Sequence, residues 1–163
     1  MGLELFALEK MKIIKIDDQN LKSEICNSIL RSLPLWFGIE SAIVDYVNDV
    51  KKMETWAVLE DGKYIGFASI NKHFEKSAEI HVIGIRQEFH GKGIGHQLVK
   101  MIEIELQSQG FKFLTVKTLS ESRPNAEYDK TRNFYLKVGF IPLEEFKTLW
   151  GEHNPCLFLV KSL

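Results

Sequence analysis

The densest run of residues able to do chemistry is Ile83-Gly84-Ile85-Arg86-Gln87-Glu88-Phe89-His90-Gly91-Lys92-Gly93-Ile94-Gly95-His96, where glycines alternate with cationic and imidazole side chains. It runs from a β-branched, strand-like stretch into a helical pattern. Gly91, Gly93 and Gly95 lack a Cβ, so backbone N–H groups there can approach a ligand closely, and a helix start adds partial positive charge. His90, Lys92 and His96 put further donors around the same turn, and together these features predict a site for a phosphate. Spacing excludes two other glycine loops. A dinucleotide G-x-G-x-x-G needs glycine where His96 stands, and a P-loop needs glycine at Arg86 and Ser or Thr at Gly93.

What the turn does fit is an acyl-CoA pyrophosphate motif. His90-Gly91-Lys92-Gly93-Ile94-Gly95 resembles that of the GNAT superfamily of N-acetyltransferases (Gln or Arg, two residues, Gly, one residue, Gly or Ala), with His90 where Gln or Arg is expected. Upstream, Ala78-Glu79-Ile80-His81-Val82-Ile83-Gly84-Ile85 is similar to the fourth GNAT strand. Downstream, Asn133-Phe134-Tyr135-Leu136-Lys137-Val138-Gly139-Phe140 is similar to the family's F-Y-x-x-x-G-F segment. The resemblance implies an α/β, GNAT-like fold in one domain over residues 1–163, with a mixed, mostly antiparallel sheet, splayed central strands and flanking helices. It also implies acetyl-CoA as acetyl donor and no metal. Pantetheine would lie between the fourth and fifth strands on backbone groups of Ile83, Gly84 and Ile85, and the pyrophosphate on the turn. A glycine inside a strand independently suggests close backbone approach or a bulge at Gly84.

Acetyl transfer to an amine has to overcome a protonated nucleophile and a poor leaving group. An amine of pKa about 10.4 is less than about 0.1% neutral at pH 7, a deficit of about 4–5 kcal/mol, so some group must take its proton or lower its pKa. By position, Glu79 resembles the general-base glutamate of the histone acetyltransferase branch, acting directly or through water. Strand alternation puts Glu79, His81 and Ile83 on one face, which makes His81 the alternative base. A tyrosine near pKa 10 can protonate a thiolate whose acid has a pKa near 8.5, and the resemblance assigns that role to Tyr135. Phe134 and Tyr135 lie about 100° apart on a helix, so one can be buried while the other faces the sulfur. A backbone N–H of the fourth strand, at Ile85 or its neighbour, would hold the polarised carbonyl, a contact worth about 2.7–4 kcal/mol elsewhere. The family often has Asn seven residues before the tyrosine. Here that position is Tyr128, and Asn125 or Arg123 is expected to reach the cofactor instead.

Two rival readings use the same residues differently. Cys156 with His153 or His81 could form a thiol-based acyl enzyme. A non-catalytic acyl-CoA sensor or partner-binding domain would keep the glycine turn and need neither Glu79 nor Tyr135, so the presence of both favours the enzyme. Trp36, Phe37 and Trp150, with Glu40, Asp45, Glu144 and Glu145, could wall a cleft for a cationic acceptor. Polyamine, amino acid, aminoglycoside and protein lysine remain open, as does a homodimer.

These residues need elements to position them. The expected order is a strand at Lys12–Ile16 and a helix with Leu21, Ile25, Ser28, Ile29 and Ser32 on one stripe. An aromatic loop at Pro34–Gly38 and a helix over Ser41–Lys52 follow, then strands Thr55–Leu59, Tyr64–Asn71 and Ala78–Ile85 with a tight turn at Glu60–Lys63. After the glycine turn, Ile94, Leu98, Ile102 and Leu106, widened by Val99 and Met101, predict a helix ended by Gly110. A strand at Phe111–Thr118, a helix at Thr131–Val138 and strands at Phe140–Leu143 and Leu157–Val160 complete the chain.

The 163 residues, 45% hydrophobic and 26% charged, suit one globular domain and exclude disordered and fibrous classes. With 21 Lys and Arg against 22 Asp and Glu, no basic field is available for nucleic acid. Apolar runs fall short of the ~20 residues that span a bilayer, so no membrane partner is expected. Cys26 and Cys156, far apart and without metal-ligand spacing, predict buried thiols in a reducing cytoplasm. The N-terminus lacks signal-peptide features, and Met11 offers an alternative start that would make residues 1–10 dispensable.

Overall fold

The computed structural model describes residues 10–163, so the reading of 1–10 as an extension lies outside them except at its last position. The elements follow the expected order: β1 (Met11–Ile16), α1 (Gln19–Arg31), α2 (Glu40–Asp49), β2 (Glu54–Glu60), β3 (Lys63–Lys72), β4 (Ser77–Ile85), α3 (Ile94–Ser108), β5 (Phe113–Leu119), α4 (Ala126–Lys137), β6 (Ile141–Phe146) and β7 (Cys156–Ser162). The strands form one mostly antiparallel sheet of seven, in the order β1-β2-β3-β4-β5-β7-β6. The chain divides into two compact units, one running up to Ile70 and resuming over Val82–Ile102, the other comprising Asn71–His81 and Glu103–Leu163.

In the first unit α1 and α2 bury Ile25, Cys26, Ile29, Leu30 and Ile43 against Ile16, Ala57, Phe67 and Val82. Asp18 caps α1, accepting from the Leu21 N–H at 2.7 Å. The buried face of α1 is Lys22, Ile25, Cys26, Ile29 and Leu30, a correction to the expected stripe. Cys26 and Leu30 are the more apolar choice, and Ser28 is turned outward to accept from Arg86 Nη2 at 2.7 Å. Lys22 buries its stem and sends Nζ to the Met53 carbonyl at 2.7 Å. Asp61 and Gly62 join β2 to β3 with φ of 48° and 76°, the two positive values that a type I′ hairpin turn requires. Leu98, Val99 and Ile102 of α3 are buried in this unit as expected, but Met101 is 38% exposed and does not widen the stripe.

In the second unit β5 is central. It pairs parallel with β4 from Ser77↔Phe113 to Ile80↔Val116, where the register ends, and antiparallel with β7 from Phe113↔Ser162 to Leu119↔Cys156. One face of β5 (Leu114, Val116, Thr118) is buried, and the other (Phe113, Thr115, Lys117) is partly open. α4 begins at Ala126, five residues before its expected start at Thr131, because Asn125 caps it, accepting from the N–H groups of Glu127 and Tyr128 at 3.0 and 3.1 Å.

Candidate active site

The glycine turn lies in the first unit. Gly91 and Gly93 have φ of 74° and 79°, and a Cβ built on either meets nothing within 4 Å. Both therefore hold a backbone shape that L side chains rarely adopt and leave open space over the turn. A backbone bond from Gln97 N–H to the Gly93 carbonyl at 3.1 Å opens α3. The N–H groups of Ile94, Gly95 and His96 precede it and have no intrahelical partner, so they are available to an anion. Lys92 sits beside them with Nζ 5.2 Å from the Phe89 ring centroid.

His90 behaves differently from its neighbours. Its Nε2 is 2.5 Å from the Ile85 carbonyl, and since that oxygen only accepts, the ring proton is on Nε2. The ring also stands edge-on to Trp36 at 5.4 Å. It therefore ties the end of β4 to the turn. Arg86 fixes the same corner, its Nε donating to the Tyr64 carbonyl at 3.0 Å. Gly84 does meet a close approach, from α1 and the residues just after it: a Cβ there would lie 3.1 Å from Ile29 Cγ2 and 3.3 Å from Leu33 Cδ1. Packing against the strand leaves little room for a side chain at that position. Ile83 and Ile85 beside it are half-buried.

The Glu79 carboxylate lies in the second unit and is 5% exposed. Its Oε2 accepts from Lys117 Nζ at 2.6 Å, and its Oε1 is 3.0 Å from His73 Nε2. The register explains the first contact: Glu79 is opposite Thr115, so Lys117, two residues on, projects from the same face. Lys117 Nζ also lies 5.8 Å from the Phe158 ring centroid. Together with Ser77, Phe113, Thr115, Phe146, Phe158 and Val160, these three residues line a cavity of about 340 Å³. Lys117 and His73 are the site residues that sequence reasoning missed. His81, the alternative base, is half-buried on β4 and does not line this cavity.

Tyr135 is 4% exposed and stands edge-on to Phe140 at 5.6 Å, with the half-buried Phe134 ring 5.4 Å away. The Asn125 side-chain oxygen is committed to the α4 cap, and the Arg123 guanidinium donates to the Asn154 side chain and the His153 carbonyl. Thr118 Oγ1 is a buried side-chain oxygen without a hydrogen-bond partner among the described residues. Both cysteines are buried and free. Burial pushes the Cys156 thiol up to about 11, against a smaller lowering by Lys117, so the thiol-based acyl enzyme loses its nucleophile. Of the expected acceptor walls, Trp36 and Phe37 pack on the first unit's core, and Glu40 is held by Arg31 at 2.7 Å. Glu145, in the second unit, accepts from Ser120 at 2.5 Å and from Ser122, and these hydroxyls hold its carboxyl below the usual range. Among the described residues no group of three His, Cys, Asp or Glu side chains could hold a metal ion, and no helix is long and apolar enough to cross a membrane.

Residues 24–140 match the model of the Acetyltransferase (GNAT) family. The chain belongs to that family. No curated protein matches it. Among solved structures, a GNAT-family protein from Desulfovibrio desulfuricans superposes with a TM-score of 0.80 at 13% identity, covering 93% of this chain and 98% of that one. A GNAT acetyltransferase from Elizabethkingia anophelis with acetyl-CoA bound gives 0.72 at 18% identity, over 94% and 99% of the two chains. The aminoglycoside 6'-N-acetyltransferase of Enterococcus faecium gives 0.69 at 19%, over 93% and 96%. At these identities the likeness is one of GNAT fold. Within that fold the turn at Gly91–His96 and the Glu79 carboxylate on β4 are two candidate sites among the described residues of this GNAT chain.

Proposed function

We propose that the protein is an N-acetyltransferase that moves an acetyl group from acetyl-CoA to a primary amine, a small molecule or a protein lysine, by direct attack on the thioester. The observation that carries this reading is a buried, oriented Glu79 carboxylate lining a cavity large enough for an acceptor. Acetyl-CoA supplies an acetyl group already activated as a thioester. The backbone N–H groups at Gly91, Lys92, Gly93, Ile94, Gly95 and His96 hold its pyrophosphate, and the open space over Gly91 and Gly93 fits that group. Backbone groups of Ile83, Gly84 and Ile85 hold pantetheine, with His90 fixing Ile85 through its carbonyl. Glu79 takes one proton from the attacking nitrogen as the N–C bond forms. Tyr135 gives one to sulfur as the C–S bond breaks, and an Ile85 N–H faces the carbonyl oxygen. A cytoplasmic setting, where both thiols stay reduced, goes with this reading.

Thiol release from acetyl-CoA in the presence of a panel of amines tests it. Glu79→Gln should lower kcat by about 10²–10⁴ and leave acetyl-CoA affinity unchanged, as for loss of a general base. Tyr135→Phe should lower kcat most where thiolate protonation limits turnover. Wild-type rates in both variants from pH 6 to 9 would remove these role assignments.

A further inference from the structure

The lining of the Glu79 cavity also constrains the acceptor, an inference that rests on Glu79 being the proton acceptor. Phe113, Phe146, Phe158 and Val160 provide apolar walls. Glu79 is the only carboxylate among the lining residues, and Lys117 already neutralises it at 2.6 Å. The Phe158 ring, which could otherwise attract a cation, has the same ammonium 5.8 Å from its centroid. A polyamine or aminoglycoside would bring several ammonium groups to a space with no uncommitted carboxylate and with aromatic walls that strip their water. A single amine meets the opposite situation. The Lys117 charge disfavours a second positive charge close by and so favours the neutral form that attacks, while the apolar body covers the phenylalanines. A volume of about 340 Å³ takes one ring and a short chain. We propose that the acceptor is a primary monoamine with an aromatic or branched apolar body, seated on Phe113, Phe146 and Phe158 with its nitrogen at Glu79.

The test compares kcat/KM for 2-phenylethylamine, ethylamine, spermidine and kanamycin with the wild-type protein and saturating acetyl-CoA. The expected result is a preference for 2-phenylethylamine over spermidine and kanamycin of at least roughly tenfold. Phe113 is 48% exposed, so Phe113→Ala should fold. It should raise KM for 2-phenylethylamine roughly tenfold and leave the ethylamine KM nearly unchanged. Spermidine or kanamycin as the better substrate, or an unmoved KM ratio in Phe113→Ala, overturns the apolar acceptor and leaves the acetyltransferase standing. No transfer to any amine by a protein that still binds acetyl-CoA, judged by thermal stabilisation, overturns the acetyltransferase reading and this one with it.

Discussion

In the first unit the candidate anion site is made of backbone: consecutive residues from Gly91 to His96, whose N–H groups and positive-φ glycines form the turn. The Glu79 cavity in the second unit is made of side chains from β4, β5, β6, β7 and the segment at His73, brought together by strand register. A backbone site depends on conformation and is insensitive to most neighbouring side chains. A side-chain site depends on each partner. Substitutions in the turn should therefore act through backbone shape, and those in the cavity through one lost contact at a time.

The strongest way to break that contrast is Gly93→Val. A β-branched residue at φ of 79° is strained by about 1–3 kcal/mol, yet its Cβ meets nothing within 4 Å. The turn should leave its anion-binding shape while the remainder keeps its packing. Acetyl-CoA affinity should fall roughly 10- to 100-fold with little loss of thermal stability. Titration calorimetry beside a melting curve checks this, and unchanged affinity would show that the backbone of this turn does not hold the cofactor.

The same contrast explains what could be read from the sequence. Gly91, Gly93 and Gly95 announce the turn because everything it needs is within a few residues, and the order of elements follows from local periodicity. Lys117 and His73 were not legible. Nothing near Lys117 marks it as the partner of a carboxylate 38 positions earlier; only the register Glu79↔Thr115 puts the two on one face. The first turns of α4 were missed for a related reason. Ala126-Glu127-Tyr128-Asp129-Lys130 has too weak an apolar stripe to show a helix, and its start is set by the Asn125 cap. His90 could be seen as a donor near the turn, but not its commitment to the Ile85 carbonyl, which depends on where β4 ends.

Each unit also carries one buried thiol, which allows the two to be compared under alkali. Burial pushes Cys26 up to about 12 and Cys156 up to about 11. Both are raised above the unfolded value, so the folded chain keeps protons that the unfolded chain gives up. Stability from this source is complete below about pH 8.5 and is lost as pH rises towards the folded values, by about 1.4 kcal/mol per pH unit for each thiol. Urea denaturation at pH 8, 9, 10 and 11 should show a steeper decline for wild type than for Cys26→Ala or Cys156→Ala. Because lysines and tyrosines titrate in every variant, the difference in slope is the readout. The Cys26 difference should persist to higher pH. Equal slopes in all three proteins would mean that the thiols are not shielded in the folded state.

The smallest effect is expected at Asn125, which sequence reasoning took towards the cofactor and which caps a helix in the structure. Its side-chain oxygen accepts from the N–H groups of Glu127 and Tyr128, so Asn125→Ala should cost about 1 kcal/mol of stability. Asn125→Asp separates the two roles. An aspartate keeps both bonds and places a negative charge at the positive end of α4, so the cap should hold or strengthen. Against a phosphate or a pantetheine carbonyl the same charge would repel, and the KM for acetyl-CoA would rise. The expected outcome is a lower melting temperature with unchanged acetyl-CoA KM in Asn125→Ala, and wild-type values of both in Asn125→Asp. A raised KM in Asn125→Asp at full stability would return Asn125 to the cofactor and make α4's first turn part of its binding site.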